Sequence, residues 1–215
     1  MSKVRHIGIL TGGGDCPGLN AVIRAITKSA ILEYGIEVIG FMDGFRGLVE
    51  NNYMALDLRQ VSGISHTGGT ILGTSNRDNP FSFITITQEG LLRTDESDRA
   101  IANLKHLGLD GLIVIGGDGT LHIANQFYEK GIPVVGVPKT IDNDLSATDV
   151  TFGFNTAVNT ASEALDRLHT TAESHHRVMI LEVMGRYSGW IALHAGISGS
   201  ADVILIPEIP FSIEA

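Results

Sequence analysis

Short apolar runs and amphipathic stretches alternate along this chain, and several of the apolar runs end in glycine-rich polar turns. Residues 7–10, 112–115 and 134–137 are rich in β-branched side chains, which is typical of strands buried in a parallel sheet. Apolar residues at helical spacing follow the first two runs, in residues 21–33 and 121–130. The alternation predicts an α/β fold in three layers, with a mostly parallel, doubly wound sheet between helices.

The same criteria predict further elements. The predicted strands are residues 36–42, 178–183 and 203–206, and the predicted helices are residues 95–107, 155–168 and 190–198. Residues 51–90 lack a regular pattern. A fresh helix, capped by Asn155 or Thr156, follows a polar connector, so we expect one domain in residues 1–153 and a second, smaller α/β domain in residues 154–215. We expect this second domain to be incomplete, because no closing element follows its last strand.

The turn at residues 116–120, Gly-Gly-Asp-Gly-Thr, is the most informative polar segment. Glycines let main-chain N–H groups approach phosphate oxygens, and a carboxylate such as Asp118 suits Mg²⁺, which prefers oxygen ligands. Because a predicted helix starts at this turn, its amino end adds unpaired N–H groups and a dipole that favours an anion. The turn therefore predicts a site for a metal-bound phosphate, with an unliganded tight turn as the alternative.

Two other predicted strands also end in polar turns, at residues 11–15 and 138–144. The carboxyl ends of parallel strands lie at one edge of a sheet, so residues far apart in sequence can meet there. We expect four carboxylates and one ammonium to be neighbours at this edge: Asp15, Asp118, Asp142, Asp144 and Lys139. A further glycine- and hydroxyl-rich patch ends in Arg77, whose guanidinium suits phosphate, although a solvated surface residue is an equal alternative.

The charge and composition of the chain argue against several classes of function. The chain has 215 residues and a formal net charge of −9, without a block of Lys and Arg residues, so we expect it to bind neither nucleic acid nor a membrane. The single cysteine, Cys16, excludes an intrachain disulfide and suits a reducing cytosol. We interpret it as a small buried side chain rather than a nucleophile. The sequence shows no leader and no apolar span of membrane length, which predicts a cytoplasmic protein.

Several common motifs are absent from the sequence. Pro17 stands where a dinucleotide-binding turn needs a glycine, and no Gly-Lys pair exists for a Walker A loop. A Gly-x-Ser-x-Gly hydrolase turn is also missing. His175 and His176 are adjacent and cannot face the same way on a regular element, so we expect them at the start of a strand rather than at a zinc ion.

Four segments, in this order, strongly resemble motifs of the 6-phosphofructokinase family: Gly13-Gly14-Asp15, Gly117-Asp118-Gly119-Thr120, Thr140-Ile141-Asp142-Asn143-Asp144 and Met184-Gly185-Arg186. The resemblance covers essentially the whole chain and corresponds to the amino-terminal portion of such enzymes. It implies phosphoryl transfer from ATP, with Mg²⁺, to the 1-hydroxyl of fructose 6-phosphate, giving fructose 1,6-bisphosphate and ADP. Family members are longer, so the activity of the 215-residue chain by itself stays open.

The resemblance also implies roles for individual residues. Asp142 corresponds to the general base, Asp118 to the Mg²⁺ ligand, and Arg77 to a residue that offsets charge on the transferred phosphate. Arg177 resembles an arginine that reaches the sugar phosphate of a neighbouring subunit, which implies a homotetramer. The other implied sugar-site residues are Thr140, Ile141, Met184, Gly185 and Arg186. The other implied nucleotide and phosphate contacts are Gly13, Asp78, Gly117, Gly119 and Thr120.

Two residues bear on the phosphoryl donor. In the family, glycines at the positions of Gly119 and Lys139 accompany ATP, whereas an aspartate and a lysine accompany pyrophosphate, and this chain has the mixed pair. Gly119 leaves room for the α-phosphate and nucleoside that an aspartate would repel, so we favour ATP, with pyrophosphate as the alternative. A non-catalytic nucleotide or metabolite sensor is the hypothesis from another class, since a fold does not prove chemistry. An NAD or lipid kinase is a more distant alternative.

Overall fold

The chain divides into two units, Met1–Lys139 and Thr140–Ala215, in a computed structural model that describes residues 4–87 and 90–212. The division falls at the end of a strand, ahead of the connector at which the sequence pattern restarts. Residues 213–215, the last of the predicted second domain, lie outside the described residues.

The first unit is built around a sheet that is mostly parallel. The strands of the first unit are β1 (His6–Thr11), β2 (Glu37–Phe41), β3 (Tyr53–Leu56), β4 (Phe83–Thr87), β5 (Gly90–Thr94), β6 (Gly111–Gly116) and β7 (Val134–Thr140). The last residue of β7, Thr140, is the first residue of the second unit. Strands β3, β2, β1, β6 and β7 are neighbours in this order, and only the β3–β2 pair among them is antiparallel. Strands β4 and β5 form a separate antiparallel hairpin.

The helices of the first unit connect these strands. They are α1 (Leu19–Ser29), which continues as a π-helical turn over Ala30–Tyr34, α2 (Phe45–Glu50), α3 (Ser97–His106) and α4 (Asp118–Glu129). The helices predicted at residues 21–33, 95–107 and 121–130 are confirmed, with ends that differ by a few residues. The sequence pattern did not indicate α2, β3 or the hairpin, because each is too short to show a period.

Both faces of the sheet are buried, which produces the three predicted layers. Successive residues of a strand point to opposite faces, and Ile9 and Leu10 of β1 accordingly belong to different apolar clusters. Leu10 packs with residues of α2, α3 and α4, including Leu48, Leu104 and Phe127. Ile9 packs with residues of α1 such as Ile23. The near-continuous apolar runs in the sequence reflect this burial on both sides.

The second unit contains the two-residue strand β8 (Phe152–Gly153) and the helices α5 (Phe154–His175) and α6 (Trp190–Ser198). Its apolar core lies between the two helices and includes Phe154, Ala161, Ile191 and Ala195. The residue before α5 is Gly153, with φ 112°, and no side chain caps the helix, so the predicted cap at Asn155 or Thr156 was wrong. A glycine adopts this left-handed backbone without the penalty that a side chain would bring.

Two sequence predictions for the second unit are corrected by the structure. His175 is the last residue of α5 and His176, with φ 50°, follows it, so the pair ends a helix instead of starting a strand. The strands predicted at residues 178–183 and 203–206 are not formed. A strand requires a hydrogen-bonded neighbour, and the described part of this unit supplies none to either segment. Their apolar side chains are largely exposed, Val178 by 91% and Ile180 by 87%.

None of the helices in residues 4–87 and 90–212 combines the length and the apolar character that crossing a bilayer requires.

Candidate functional site

Two glycine turns of the first unit pack directly against each other at the carboxyl edge of the sheet. The Gly12 N–H, just after β1, donates to the Ile115 carbonyl of β6 at 2.9 Å. A Cβ on Gly12 would lie 2.6 Å from Cγ2 and 2.8 Å from Oγ1 of Thr120, in the first turn of α4. A Cβ on Gly116 would also collide with Thr120. The contact between the turns therefore depends on glycine at position 12, and the close packing within the second turn depends on glycine at position 116.

Lys139 joins these turns from the end of β7. Its Nζ donates to the Gly14 carbonyl at 2.6 Å. A Cβ on Gly13 would lie 3.5 Å from both Lys139 Nζ and Thr120 Oγ1. The structure thus brings Gly13, Thr120 and Lys139 together, although they are more than 100 positions apart at the extremes. The predicted places of Asp142 and Asp144 beside this group stay predictions, since both belong to the second unit.

The ammonium of Lys139 is buried, and within the described part of the first unit it forms no ion pair. The side chain is only 5% exposed, and it is the one charged residue in the buried set of the described chain. It forms no salt bridge with any carboxylate in residues 4–87 and 90–139. A buried charge is costly unless it is paired, and an ammonium has three donors, of which Gly14 accepts one. The arrangement favours a bound anion next to the glycine turns.

The amino end of α4 is open to such an anion. Gly117 precedes the helix, and no side chain caps it. The first N–H groups of a helix have no partner within the helix, and the dipole there favours negative charge. A Cβ on Gly119 would meet no atom within 4 Å, so this position faces open space. Asp118 and Gly119 are both exposed, while Thr120 is buried against the first turn.

The backbone of Gly13 is already engaged by residues 74 and 75. Its N–H donates to the Ser75 carbonyl at 3.0 Å, and its carbonyl accepts from the Thr74 hydroxyl at 2.7 Å. The N–H of Gly13 is therefore not available to a phosphate, and an amide donor at this turn has to come from a later residue. Gly13 contributes its left-handed backbone, with φ 82°, and its lack of a side chain.

The stretch that leads to Arg77 and Asp78 is bonded to helix α1. Asn20, which is 1% exposed, donates to the Thr67 carbonyl at 3.0 Å and accepts from the Ile71 N–H at 2.8 Å. Arg77 itself is exposed, and only its backbone N–H is bonded, to Ser75 Oγ at 3.2 Å. Its guanidinium makes no ion pair within the described part of the first unit.

Asp78 lies close to the start of α2. A hydrogen bond to Glu50 raises the pKa of Arg46, and the nearby carboxylate of Asp78 adds to this rise. The structure therefore brings the carboxylate of Asp78 near the guanidinium of Arg46. The predicted role of Asp78 as a nucleotide contact stays a prediction.

Cys16 follows the first glycine turn and is buried. Burial raises the pKa of its thiol from 9.0 to about 11, and the nearby ammonium of Lys139 offsets this only in part. The thiolate form is the nucleophile, so Cys16 is a poor one near neutral pH. This agrees with its interpretation as a buried side chain.

In the second unit, hydrogen bonds shape the turn that carries Asp142. The Asp142 N–H donates to Thr140 Oγ1 at 3.2 Å. Thr151, which is 2% exposed, donates through its hydroxyl to the Thr140 carbonyl at 2.6 Å and through its N–H to Asn143 Oδ1 at 2.9 Å. Asn143 adopts a left-handed backbone, with φ 51°. Thr151 thus holds both sides of the predicted base, a role that its place in the sequence did not indicate.

A second turn of this unit meets the first through Ser188. The Ser188 hydroxyl donates to the Asp142 carbonyl at 3.1 Å, and the Ser188 N–H bonds back to the Gly185 carbonyl. Gly185 has φ 139°, and a Cβ there would strike the Ser188 carbonyl. The structure therefore joins two of the predicted sugar-binding segments, residues 140–142 and 184–186. Sequence reasoning missed Ser188, because a lone hydroxyl 46 positions away gives no signal of its partner.

The two predicted sugar-site arginines are both exposed. Arg186 lies in the second turn with its guanidinium 4.9 Å from the ring centre of Tyr187. Arg177 follows the carboxyl end of α5, where its N–H donates to the Ala172 carbonyl at 3.0 Å. No hydrogen bond or ion pair joins Arg177 to the other predicted sugar-site residues in the described part of this unit.

The residues fit a magnesium ion that is shared with phosphates better than one held by protein alone. No group of three or more His, Cys, Asp or Glu side chains is placed to hold a metal among residues 4–87 and 90–212. Asp118 offers one exposed carboxylate beside the open amino end of α4. Mg²⁺ in nucleotide sites commonly binds one or two carboxylates, phosphate oxygens and water.

Comparison with known proteins identifies a family and several proteins that are similar to this chain. The protein-family model described as Phosphofructokinase matches residues 6–215. An ATP-dependent 6-phosphofructokinase 2 of Clostridium perfringens is 64% identical over 214 residues, which are 99% of this chain and 58% of the relative. A pyrophosphate--fructose 6-phosphate 1-phosphotransferase of Streptomyces coelicolor is 56% identical over 209 residues, which are 97% of this chain and 58% of the relative.

Solved structures agree with these matches. The phosphofructokinase of Pichia pastoris in the T-state has a TM-score of 0.84 and 26% identity, over 99% of this chain and 22% of that one. The phosphofructokinase of Saccharomyces cerevisiae has a TM-score of 0.75 and 32% identity, over 90% of this chain and 28% of that one.

The chain spans about 58% of the length of the curated relatives named here. Within that span the match runs through both units and includes the glycine turns, the buried lysine and the two turns joined by Ser188. Because the family model matches residues 6–215 and named relatives are similar over nearly the whole chain, the chain belongs to the phosphofructokinase family.

Proposed function

We propose that the whole protein transfers the terminal phosphoryl group of ATP to the 1-hydroxyl of fructose 6-phosphate, giving fructose 1,6-bisphosphate and ADP. The observation that carries the proposal is the buried ammonium of Lys139 at the meeting point of two glycine turns, where it forms no ion pair within the described part of the first unit. This is a place for a polyphosphate, whose negative charge would supply a counter-ion. The names of the relatives described above support the choice of acceptor.

Phosphoryl transfer depends mainly on the positions of the reacting groups and on neutralisation of the phosphate charge, and little on covalent chemistry by the protein. The 1-oxygen of the sugar forms a bond to the terminal phosphorus as the bond from that phosphorus to the leaving ADP oxygen breaks. Asp142 accepts the hydroxyl proton, with its backbone held by Thr140 and Ser188. Arg77 offsets the charge on the transferred group. In the sugar site, Ile141, Met184, Gly185 and Arg186 line the turns beside Asp142.

A magnesium ion belongs to this proposal as the partner of the nucleotide. Asp118 would hold it together with phosphate oxygens, and Gly117, Gly119 and Thr120 would border the phosphates. When bound, the ion neutralises charge on the phosphates. The N–H of Gly13 already binds Ser75, so Gly13 would not donate to the phosphates. Its lack of a side chain would instead let the backbone approach them closely.

The choice of ATP over pyrophosphate rests on Gly119. A side chain at this position would enter open space beside the first turn of α4, and a glycine leaves that space to the α-phosphate and nucleoside. Lys139 favours the alternative, because a buried ammonium can pair with a small, highly charged donor. Relatives named for each donor match this chain at 64% and 56% identity. We give Gly119 more weight because an aspartate there would repel the nucleotide directly.

A coupled assay of the complete gene product with each donor tests the proposal. We expect turnover of fructose 6-phosphate with ATP, and turnover with pyrophosphate alone would reverse the choice of donor. Asp142→Ser should abolish turnover and keep nucleotide binding, with Asp149→Ser, at an exposed aspartate of the same connector, as the matched control for the loss of one carboxylate. Retained kcat in Asp142→Ser would remove Asp142 as the base. Nucleotide binding without product from any donor would favour the sensor hypothesis.

The proposal extends to a homotetramer in the cytoplasm. Arg177 is exposed at the end of α5, so its guanidinium is accessible to a second subunit. If it completes a neighbour's sugar site, two inactive variants should complement each other. Subunits with Arg177→Ala mixed with subunits with Asp142→Ser form sites that hold both native residues, and activity should return on mixing. Absence of recovery in verified mixed oligomers would contradict the shared site, and cell fractionation tests the location.

A further inference from the structure

The Arg77 segment, residues 70–77, is bonded to the first glycine turn at three successive positions. Thr11 Oγ1 donates to the Gly73 carbonyl at 2.7 Å. The Thr74 hydroxyl donates to the Gly13 carbonyl at 2.7 Å, with the Thr11 carbonyl within 3.2 Å. The Gly13 N–H then donates to the Ser75 carbonyl at 3.0 Å. The first half of the segment is anchored elsewhere, by the Ile71 N–H to Asn20 Oδ1 and by the Asp43 N–H to the Leu72 carbonyl, both at 2.8 Å. The segment has no helix or strand hydrogen bonds of its own, so the three bonds to the glycine turn fix the part that leads to Arg77.

Thr74 occupies the centre of this connection. Its hydroxyl and the Ser75 carbonyl bind the two backbone groups of Gly13 reciprocally, as a strand neighbour would. From Ser75 the connection reaches Arg77, whose N–H donates to Ser75 Oγ at 3.2 Å. The other side of the glycine turn is bonded to Lys139 through the Gly14 carbonyl.

We infer that Thr74 is a positioning residue for phosphoryl transfer, which holds the Arg77 segment and the first glycine turn in one fixed relation. The inference rests on the proposed function, because it assigns Thr74 an effect that is exerted through Arg77 on the transferred phosphate. Without the hydroxyl, Gly13 keeps its bond to Ser75 and loses the one through its carbonyl. The segment would stay folded and place Arg77 less accurately, and small errors of position cost rate rather than affinity.

The test compares Thr74→Val, which keeps the volume and removes the hydroxyl, with Thr74→Ser, which keeps the hydroxyl. With ATP saturating and fructose 6-phosphate varied, Thr74→Val should lower kcat about tenfold and change KM for the sugar phosphate less than about twofold, while Thr74→Ser stays within about twofold in both. Equal kcat in Thr74→Val and the wild type, with the wild type active, would overturn this inference and leave the proposed function standing.

A double-variant comparison separates positioning from a general structural role. In an Arg77→Ala background, Thr74→Val should lower kcat by less than about twofold, because the residue through which it acts is gone. The same tenfold loss in both backgrounds would mean that Thr74 only supports the fold, and would overturn the inference.

Ser75→Ala provides a second variant if Thr74→Val unfolds below the assay temperature. It removes only the acceptor of the Arg77 N–H and should lower kcat about threefold, an effect that Arg77→Ala should also abolish. An unchanged kcat in Ser75→Ala, or a threefold loss that persists without Arg77, would count against the inference. A wild-type protein that turns over neither ATP nor pyrophosphate would overturn the proposed function and this inference together.

Discussion

Gly119→Ala should make the protein more stable and a poorer nucleotide binder at the same time. Gly119 is the second residue of α4, its φ lies outside the left-handed region, and a methyl there meets no atom within 4 Å. Replacing such a glycine by alanine stabilises proteins by about 0.4–1 kcal/mol, because the unfolded chain loses freedom. For a chain of this size the midpoint of thermal unfolding should rise by about 1–4 °C.

The loss of binding follows from the same geometry. The methyl occupies open space beside the amino end of α4, where the phosphates of the nucleotide are proposed to lie. We expect MgATP to bind at least about tenfold more weakly, which is about 1.4 kcal/mol. Gly119→Asp should weaken it further, because two unit charges 4 Å apart repel by about 1 kcal/mol in water and about 4 kcal/mol near a protein surface.

Calorimetric titration of MgATP and thermal unfolding of each variant test both halves of the prediction. Gly68→Ala is the matched control, since Gly68 is exposed and a Cβ there also meets no atom within 4 Å. It should leave affinity unchanged. Weaker binding with higher stability cannot be ascribed to damage of the fold. If Gly119→Ala binds MgATP like the wild type, Gly119 does not border the nucleotide, and the reason for preferring ATP is lost.

Three further predictions concern the first unit. Gly12→Ala should lower the free energy of unfolding by about 1–3 kcal/mol, since its methyl would lie 2.6 Å from Thr120 Cγ2, and Thr120→Ala should recover part of the loss. Strict additivity in urea unfolding of the double variant would refute this contact. Lys139→Met should weaken binding of inorganic pyrophosphate about tenfold more than that of MgATP, measured by titration; equal losses would show that the ammonium does not discriminate. Burial raises the pKa of the Cys16 thiol from 9.0 to about 11, so the folded state favours the protonated thiol. The stabilisation of the fold that results is complete below pH 9 and is lost between pH 9 and 11. Cys16→Ala should flatten the pH dependence of unfolding in that range by on the order of 2 kcal/mol, and an unaltered profile would disprove it.

The long, periodic elements could be predicted from the sequence, and the irregular ones could not. The apolar runs at β1, β6 and β7 and the helical spacing in α1, α3 and α4 report burial that repeats along the chain. Residues 178–183 and 203–206 show the limit of this approach. Their composition suits strands, but a strand forms only with a neighbour, and the described second unit offers none.

The residues of the candidate site also fall into those that the sequence indicated and those that it did not. Glycine turns after strands indicated Gly13, Asp118, Gly119 and Lys139, because backbone geometry and charge constrain those positions individually. Thr74, Thr151 and Ser188 were missed. Each donates its hydroxyl to a carbonyl that is between 11 and 61 positions away, and such a partner cannot be read from local composition.

Local chemistry along the chain was enough to predict the α/β architecture, and it indicated the edge of the sheet at which we propose that ligands bind and the residue types proposed to meet phosphate, since all of these depend on period, charge and backbone freedom. Folding alone decided that the Gly13 N–H binds Ser75, that Lys139 is buried with no ion pair in the described part of its unit, and that Ser188 joins two turns. The reason is physical: hydrogen bonds and burial depend on distances between residues that only the packed chain brings together.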